Sequence, residues 1–196
     1  MNRAVILKRL VVDAGYRPLP EDARELCECV RASPRLVAHL TLVHDAACVL
    51  SAKLRAAFPS FAFDEERVLF GAATHDLGKA QASAELVSAG ESHQAAGLAL
   101  LRRLGVPEDR ARFAWTHGNG HWDEPGIENE DLVVALADKI WKGKRVAKLE
   151  RLVVKAVASA SGKKPWDVFA ELDEILESVA ANADARLAWQ TQFSAD

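Results

Sequence analysis

Residues 74–79 read Thr-His-Asp-Leu-Gly-Lys and follow a short apolar run. The adjacent His75 and Asp76 are both metal-ligand types, because imidazole offers a neutral nitrogen and carboxylate a hard oxygen that can bridge two ions. An anion placed directly after residues 68–73, Val-Leu-Phe-Gly-Ala-Ala, is costly to bury unless a cation or hydrogen bonds compensate its charge. The segment therefore predicts a divalent metal site in an apolar surrounding.

The chain around this segment shows helical patterns and lacks the sustained alternation that is typical of strands. Ser33 and Pro34 predict an N-cap and first turn for a helix that runs to about Phe58, where Pro59 ends it. The next predicted helix begins at residues 64–66 and reaches His75 and Asp76. Further helices are predicted from His93 to Gly105, from Pro107 to His117, and from about Asp131 to Arg145.

The C-terminal part of the chain is predicted to be helical as well. Residues 161–165 form a break, and a last long helix then carries apolar residues at helical spacing: Phe169, Leu172, Leu176, Val179, Ala183 and Leu187. We expect one all-α domain over residues 1–196, with a core at about 35–145 and a C-terminal helical cover at about 146–190.

Composition excludes several classes of protein. Of the 196 residues, 49% are hydrophobic and 27% charged, and the net charge of −3 argues against a nucleic-acid polymer or a membrane surface as partner. The three cysteines have no metal-finger spacing, so a reducing, cytoplasmic setting is expected. Residues 1–10 lack the apolar core of a signal peptide, and no uncharged stretch approaches the ~20 residues of a membrane span.

Additional histidines and an aspartate accompany the central pair. His93, His117 and Asp138 each lie near helical sequence, and Asp138 sits inside an apolar helix where a lone carboxylate needs a partner. Two positions stay open. His39 lies on an apolar stripe and is the preferred first ligand, with His44 as the alternative, and His121 is the alternative to His117.

The ordered set His39, His75-Asp76, His93, His117 and Asp138 resembles the HD-domain superfamily of metal-dependent phosphohydrolases. Residues 74–79 resemble the His-Asp-Gly-Lys signature of its two-metal members, and residues 134–139 resemble the helix that supplies the final Asp. The resemblance covers roughly residues 35–145 and implies the HD-domain helical bundle. The Gly-Tyr-Pro motif of the cyclic-dinucleotide enzymes is absent, because residues 118–126 read Gly-Asn-Gly-His-Trp-Asp-Glu-Pro-Gly.

The resemblance also implies a division of roles. One ion would be held by His39, His75, Asp76 and Asp138. Asp76 would bridge to a second ion on His93 and His117, and Lys79 would meet a substrate phosphate. The predicted catalytic residues are therefore Asp76 and Lys79. One or two divalent ions are expected (Mn, Fe, Mg, Ni, Co or Zn), since His and Asp ligands accept several metals.

The resulting functional expectation is hydrolysis of a phosphomonoester or phosphodiester, with a nucleotide or related small phosphorylated molecule as substrate. Lys139, Lys142, Lys144 and Arg145 follow Asp138 and are further candidates for phosphate contacts. Trp122 and Trp141 are candidates for stacking on a ring, although core packing is the simpler interpretation. The alternatives are an HD-fold di-iron oxygenase and a non-catalytic sensor of a phosphorylated effector. Sequence leaves the oligomeric state open.

Overall fold

The computed structural model describes residue 11, residues 14–81 and residues 90–194. Within these ranges all regular secondary structure is helical, which confirms the all-α prediction. The expectation that no signal peptide is present concerns residues 1–10 and lies outside the described residues. The elements are α1 (Glu21–Cys29), α2 (Pro34–Ala57), α3 (Glu65–Thr74), a 3₁₀ turn (Leu77–Ala80), α4 (Ser92–Arg103), α5 (Glu108–Ala111), α6 (Phe113–Thr116), α7 (Asn129–Ile140), α8 (Ala147–Ser161), α9 (Pro165–Ala180) and α10 (Ala183–Gln190).

Helix α2 is the long central helix, and it begins as its sequence predicts. The Ser33 hydroxyl accepts a hydrogen bond from the Leu36 backbone N–H at 3.3 Å, and Pro34 occupies the first helical turn. By length and composition alone α2 would suit a membrane span, but 72% of the relevant window is buried inside the fold. Its apolarity is therefore explained by packing in the core.

Helix α3 delivers the central His-Asp pair. Its N-cap is Asp64, whose carboxylate accepts from the Arg67 backbone N–H at 3.2 Å. The helix ends at Thr74, so His75 is its C-cap and Asp76 begins the passage into the 3₁₀ turn. Both side chains thereby leave the helix end and point into the bundle.

Two groups of buried apolar residues form the core. The larger one joins α2, α3, α7, α8 and α9, and the smaller one joins α1, α4 and the start of α2. On α2, Leu42 belongs to the larger group and Leu40 to the smaller. On either side of the His-Asp pair, Ala72 belongs to the larger group and Leu77 to the smaller. The predicted metal ligands therefore lie where the two apolar groups meet.

Several predicted boundaries differ from the structure. The helix predicted over 107–117 is two short helices, α5 and α6, joined by Arg112, which keeps helical backbone angles. The helix predicted to reach Arg145 ends at Ile140, and Gly143 follows in the left-handed region with φ of 72°.

The last long helix of the prediction is also two helices, α9 and α10. Arg186 on α10 turns back and donates to the backbone carbonyls of Val179 (2.8 Å) and Trp141 (3.2 Å), which fixes the bend between the helices. Phe169 on α9 and Leu187 on α10 are 39% and 37% exposed, although both fit the predicted apolar spacing.

Candidate metal centre

The six predicted metal ligands come from five parts of the chain and converge on one place. His39 lies in the middle of α2, and His75 and Asp76 lie at the end of α3. His93 is in the first turn of α4, His117 follows α6 as its C-cap, and Asp138 lies within α7. Their exposed fractions range from 0 to 6%, so a cluster of ionisable groups is buried in the bundle.

The Asp76 carboxylate lies between two pairs of histidines. Its Oδ2 is 2.9 Å from His39 Nε2 and 3.5 Å from His75 Nε2. Its Oδ1 is 3.1 Å from His93 Nε2 and 3.4 Å from His117 Nε2. Each oxygen thus serves one pair, which is the arrangement of a carboxylate that bridges two ions.

Asp138 completes the group on the His39 side, with Oδ1 at 3.5 Å from His75 Nε2. Two of the imidazoles are oriented by the backbone. Nδ1 lies 3.0 Å from the Ala72 carbonyl oxygen in His75 and 2.9 Å from the Phe113 carbonyl oxygen in His117. An Nδ1–H that donates to a carbonyl leaves the Nε2 lone pair directed at the cluster, as in metal-binding histidines.

The donor set fits a divalent cation. His39 Nε2, His75 Nε2 and Asp76 Oδ1 are buried and have no well-oriented hydrogen-bond partner. The atoms of His39, His75 and Asp76, and those of Asp76, His93 and His117, form two groups each compact enough to hold one metal ion. Buried acceptor atoms that face one another are costly unless a cation lies among them, and mixed nitrogen and oxygen donors suit first-row divalent metals.

Electrostatics hold most of these groups in the charge states that coordination requires. Burial alone would raise the pKa of the Asp76 carboxyl, but the charges of His75 and Lys79 hold it well below its usual range. Burial lowers the pKa of His39 to about 4 and also lowers that of His117, so both stay neutral. Burial opposes protonation of His75 too, but Asp76 and Asp138 raise its pKa to about 9.

The two alternative histidines lie elsewhere. His44 is buried, and its Nε2 lies 3.7 Å from Cys48 Sγ. His121 Nδ1 lies 2.6 Å from Glu124 Oε1, and its ring packs at 4.0 Å from that of Trp115. The structure therefore brings His39 and His117 to Asp76, and places neither His44 nor His121 there.

A cleft of about 250 Å³ opens onto the cluster. The charged residues that line it are Asp76, Asp138, Glu91, Lys79, Lys139 and Lys142. Nζ of Lys79 lies 2.6 Å from Asp76 Oδ2, and Nζ of Lys139 lies 2.6 Å from Asp138 Oδ2. Three ammonium groups at the mouth of a metal-ligand cluster favour an anionic ligand.

The other predicted contacts to phosphate and rings are not in the cleft. Arg145 is bound to Glu150 and Asp173 at 2.9 and 2.6 Å, and Lys144 does not line the cleft. Trp122 and Trp141 are buried, as the core-packing interpretation expects. The rings of Trp141 and His39 pack edge to face with their centroids 5.1 Å apart, so Trp141 helps to hold a predicted ligand histidine in place.

Two features of the site were not predicted. Gln94 lines the cleft directly after His93, and its carboxamide packs against Gly118, which follows His117. Neither residue type signals a metal site in a sequence, so only the fold reveals the pair. The second is Gly97, which faces the backbone of Gly78 where α4 crosses the 3₁₀ turn.

These features define a helical domain with a buried His/Asp metal-binding cluster. A comparison with family models matches the HD domain over residues 37–141, which is more than half of the chain. The chain therefore belongs to the HD-domain family, within the superfamily of metal-dependent phosphohydrolases. Neither the comparison with curated proteins nor that with solved structures gave a significant match.

Proposed function

We propose that this protein is a metal-dependent phosphohydrolase that cleaves a phosphomonoester or phosphodiester of a small molecule such as a nucleotide. The observation that carries the proposal is the Asp76 carboxylate. Its two oxygens address separate histidine pairs, at 2.9–3.5 Å and 3.1–3.4 Å, beside a lysine-lined cleft. Family membership supports the same class of activity.

In this proposal the ligands divide between two ions. His39, His75 and Asp138 would hold one ion with Asp76 Oδ2, and His93 and His117 would hold the other with Asp76 Oδ1. Divalent ions in such a site lower the pKa of bound water and neutralise negative charge on a phosphoryl group. The protein holds the donor atoms in place. For His75 and His117, the backbone carbonyls that accept from Nδ1 fix the orientation of the imidazole ring.

The lysines would orient the substrate. The Lys79 ammonium group forms an ion pair with Asp76, and that of Lys139 forms one with Asp138. Lys142 Nζ lies 4.0 Å from Asp138 Oδ1. A phosphate oxygen offers the same kind of acceptor as a carboxylate, so these long side chains can transfer hydrogen bonds to it when substrate enters. Lys79, which follows Asp76 in the 3₁₀ turn, is the nearest of the three to the bridging carboxylate.

The test is hydrolysis of a panel: a bis-aryl phosphodiester, an aryl phosphomonoester, nucleotides and cyclic dinucleotides. Wild type is assayed beside Asp76→Ala and beside Asp167→Ala, a matched control at an exposed position of α9. Mn, Fe(II) and Mg are added in turn. We expect turnover by wild type and the control, and none above background by Asp76→Ala.

Absence of turnover with every metal and compound would contradict the proposal. Oxygen uptake by the iron-loaded protein would then indicate the HD-fold di-iron oxygenase. Tight binding of a phosphorylated compound without turnover would indicate a sensor. Wild-type activity in Asp76→Ala would remove Asp76 from the site and with it the two-ion arrangement.

A further inference from the structure

Gln94 is a buried polar residue that the metal cluster does not use. It lies in the first turn of α4, is 6% exposed, and still lines the cleft. No hydrogen bond joins its carboxamide to another of the described residues. A carboxamide on the wall of a cleft can hydrogen-bond to a ligand that enters the cleft, through both its N–H groups and its oxygen.

Gly118 fixes where the Gln94 carboxamide lies. A Cβ atom at Gly118 would come within 2.5 Å of both Nε2 and Oε1 of Gln94, so the amide rests where any other residue would place a side chain. Gln94 follows His93, and Gly118 follows His117. The carboxamide is therefore held beside the histidine pair that faces Asp76 Oδ1.

The chemistry of the amide differs from that of the lysines. An ammonium group only donates, and a phosphate oxygen only accepts, so lysine and phosphate match one another. A carboxamide both donates and accepts, and its oxygen repels an anion. A neutral group that also donates and accepts, such as a hydroxyl, is the partner that satisfies both of its atoms.

We propose that Gln94 is a specificity-determining residue that binds a hydroxyl group of the substrate next to its phosphate. The inference rests on the proposed function and narrows it to hydroxylated phosphate esters, such as nucleotides or polyol phosphates. The lysines take the phosphate, and Gln94, seated against Gly118, distinguishes the rest of the molecule.

The test compares esters that differ in their hydroxyl groups alone. The pairs are glycerol 3-phosphate with propyl phosphate, and adenosine 5′-monophosphate with its 2′,3′-dideoxy analogue. For at least one pair we expect wild type to prefer the hydroxylated member in kcat/KM by about tenfold to a hundredfold. Gln94→Met keeps the side-chain length and loses the hydrogen bonds, so this preference falls to near one.

Two controls separate recognition from structure. Gln192→Met makes the same substitution at an exposed position outside the cleft and keeps the wild-type preference. Metal content, measured by elemental analysis, stays at the wild-type ratio in Gln94→Met, which shows that the His93 and His117 side of the cluster is intact.

The substitution Gly118→Ala tests the position of the Gln94 carboxamide without replacing Gln94. The added Cβ would displace the carboxamide, which is the flexible end of its side chain, so the preference is lost although Gln94 is present. In a Gln94→Ala background the carboxamide is absent, so the added Cβ has nothing to displace. There Gly118→Ala has no further effect, and the two substitutions are non-additive.

Equal use of both members of each pair by wild type would overturn the inference, as would a preference that Gln94→Met retains. If wild type hydrolyses no ester, the proposed function fails first. The same pairs are then compared by calorimetric binding to the Mn-loaded protein. A preference in Kd that Gln94→Met removes would uphold the role of Gln94, and equal Kd values or no binding would end it.

Discussion

Asp76 differs from the other predicted ligands because its two oxygens reach both histidine pairs. Removing it should therefore disturb both ion sites, whereas removing a histidine should disturb one. We predict that Asp76→Asn, which keeps the shape of the side chain, lowers bound metal from about two ions per chain to well below one. His93→Gln should leave about one ion. Elemental analysis after dialysis, with calorimetric titration of Mn, measures both.

A chain that binds a single ion in wild type would give a different pattern. In that case His93→Gln would keep the wild-type metal content while His39→Gln would lose it. Such a result would restrict the site to His39, His75, Asp76 and Asp138, and would make His93 and His117 substrate contacts instead of ligands.

His44 offers a pH prediction that is independent of the metal cluster. Burial lowers its pKa to about 4, and the positive charge of Arg17 adds to this while Asp45 opposes it. Unfolded His44 takes up a proton below about pH 6.5, but folded His44 does so only near pH 4. The unfolded state therefore binds more protons between these values, and stability is lost as pH falls through this window.

We predict that His44→Met removes this component of the acid sensitivity. Between pH 7 and pH 4 the wild type should lose up to about 3 kcal/mol more unfolding free energy than the variant. Urea denaturation across the pH range measures the difference, with metal removed from both proteins. Parallel pH profiles would show that His44 titrates normally in the folded state.

At the scale of secondary-structure elements, the crossing of α4 over the 3₁₀ turn sets the distance between the central His-Asp pair and His93. A Cβ on Gly78 would lie 2.0 Å from the His93 carbonyl oxygen, and these are backbone atoms that cannot move aside. Gly78→Ala should therefore push the turn and α4 apart, and we predict a loss of at least ~2 kcal/mol of stability in urea denaturation.

Two other glycines supply graded controls. A Cβ on Gly97 would meet the Ala114 Cβ at 3.2 Å, so Gly97→Ala should cost less than Gly78→Ala. Gly120 has nothing within 4 Å, and Gly120→Ala should stay near the wild-type stability. Equal effects at all three positions would mean that the loss arises from glycine flexibility and not from the close approach.

This crossing also shows what sequence could and could not predict. Helix periodicity, the Ser33 cap and the order of the His and Asp residues were local signals. They predicted the all-α fold and pointed to six residues that the structure places in one cluster. The small size of Gly78 is needed for its contact with His93, which lies fifteen residues further along the chain. Contacts of this kind depend on how elements cross, so a pattern along one element does not reveal them.

The C-terminal helices show the same division. Leu172 and Val179 were expected inside, and they are buried. Phe169 and Leu187 fit the same spacing but are exposed. Leu187 lies on α10, beyond the bend that ends α9, so the period of α9 does not continue to it. The hydrogen bonds from the Arg186 side chain to two backbone carbonyls fix that bend, and a single arginine between Ala185 and Leu187 gives no sign of such a role in the sequence.

For the whole molecule, the question is whether the family segment folds without its C-terminal cover. The HD-domain match ends at residue 141, but the larger apolar core continues into α8 and α9. The α9 residues buried in it are Val168, Leu172, Ile175, Leu176 and Val179. Burying each contributes roughly 1.5–3 kcal/mol, and together they approach the ~5–15 kcal/mol by which a whole domain is stable.

We therefore predict that a chain ending at residue 161 does not unfold cooperatively, although it contains the entire HD match and all six predicted ligands. Thermal and urea unfolding followed by circular dichroism would show a broad transition without a defined midpoint. Added Mn would not restore a cooperative transition. Within the full chain, Leu172→Ala should cost about 2–5 kcal/mol and Phe169→Ala on the same helix well under half of that. A sharp transition in the shortened chain would mean that the metal cluster and the smaller core hold the domain together, with α9 and α10 a separable addition.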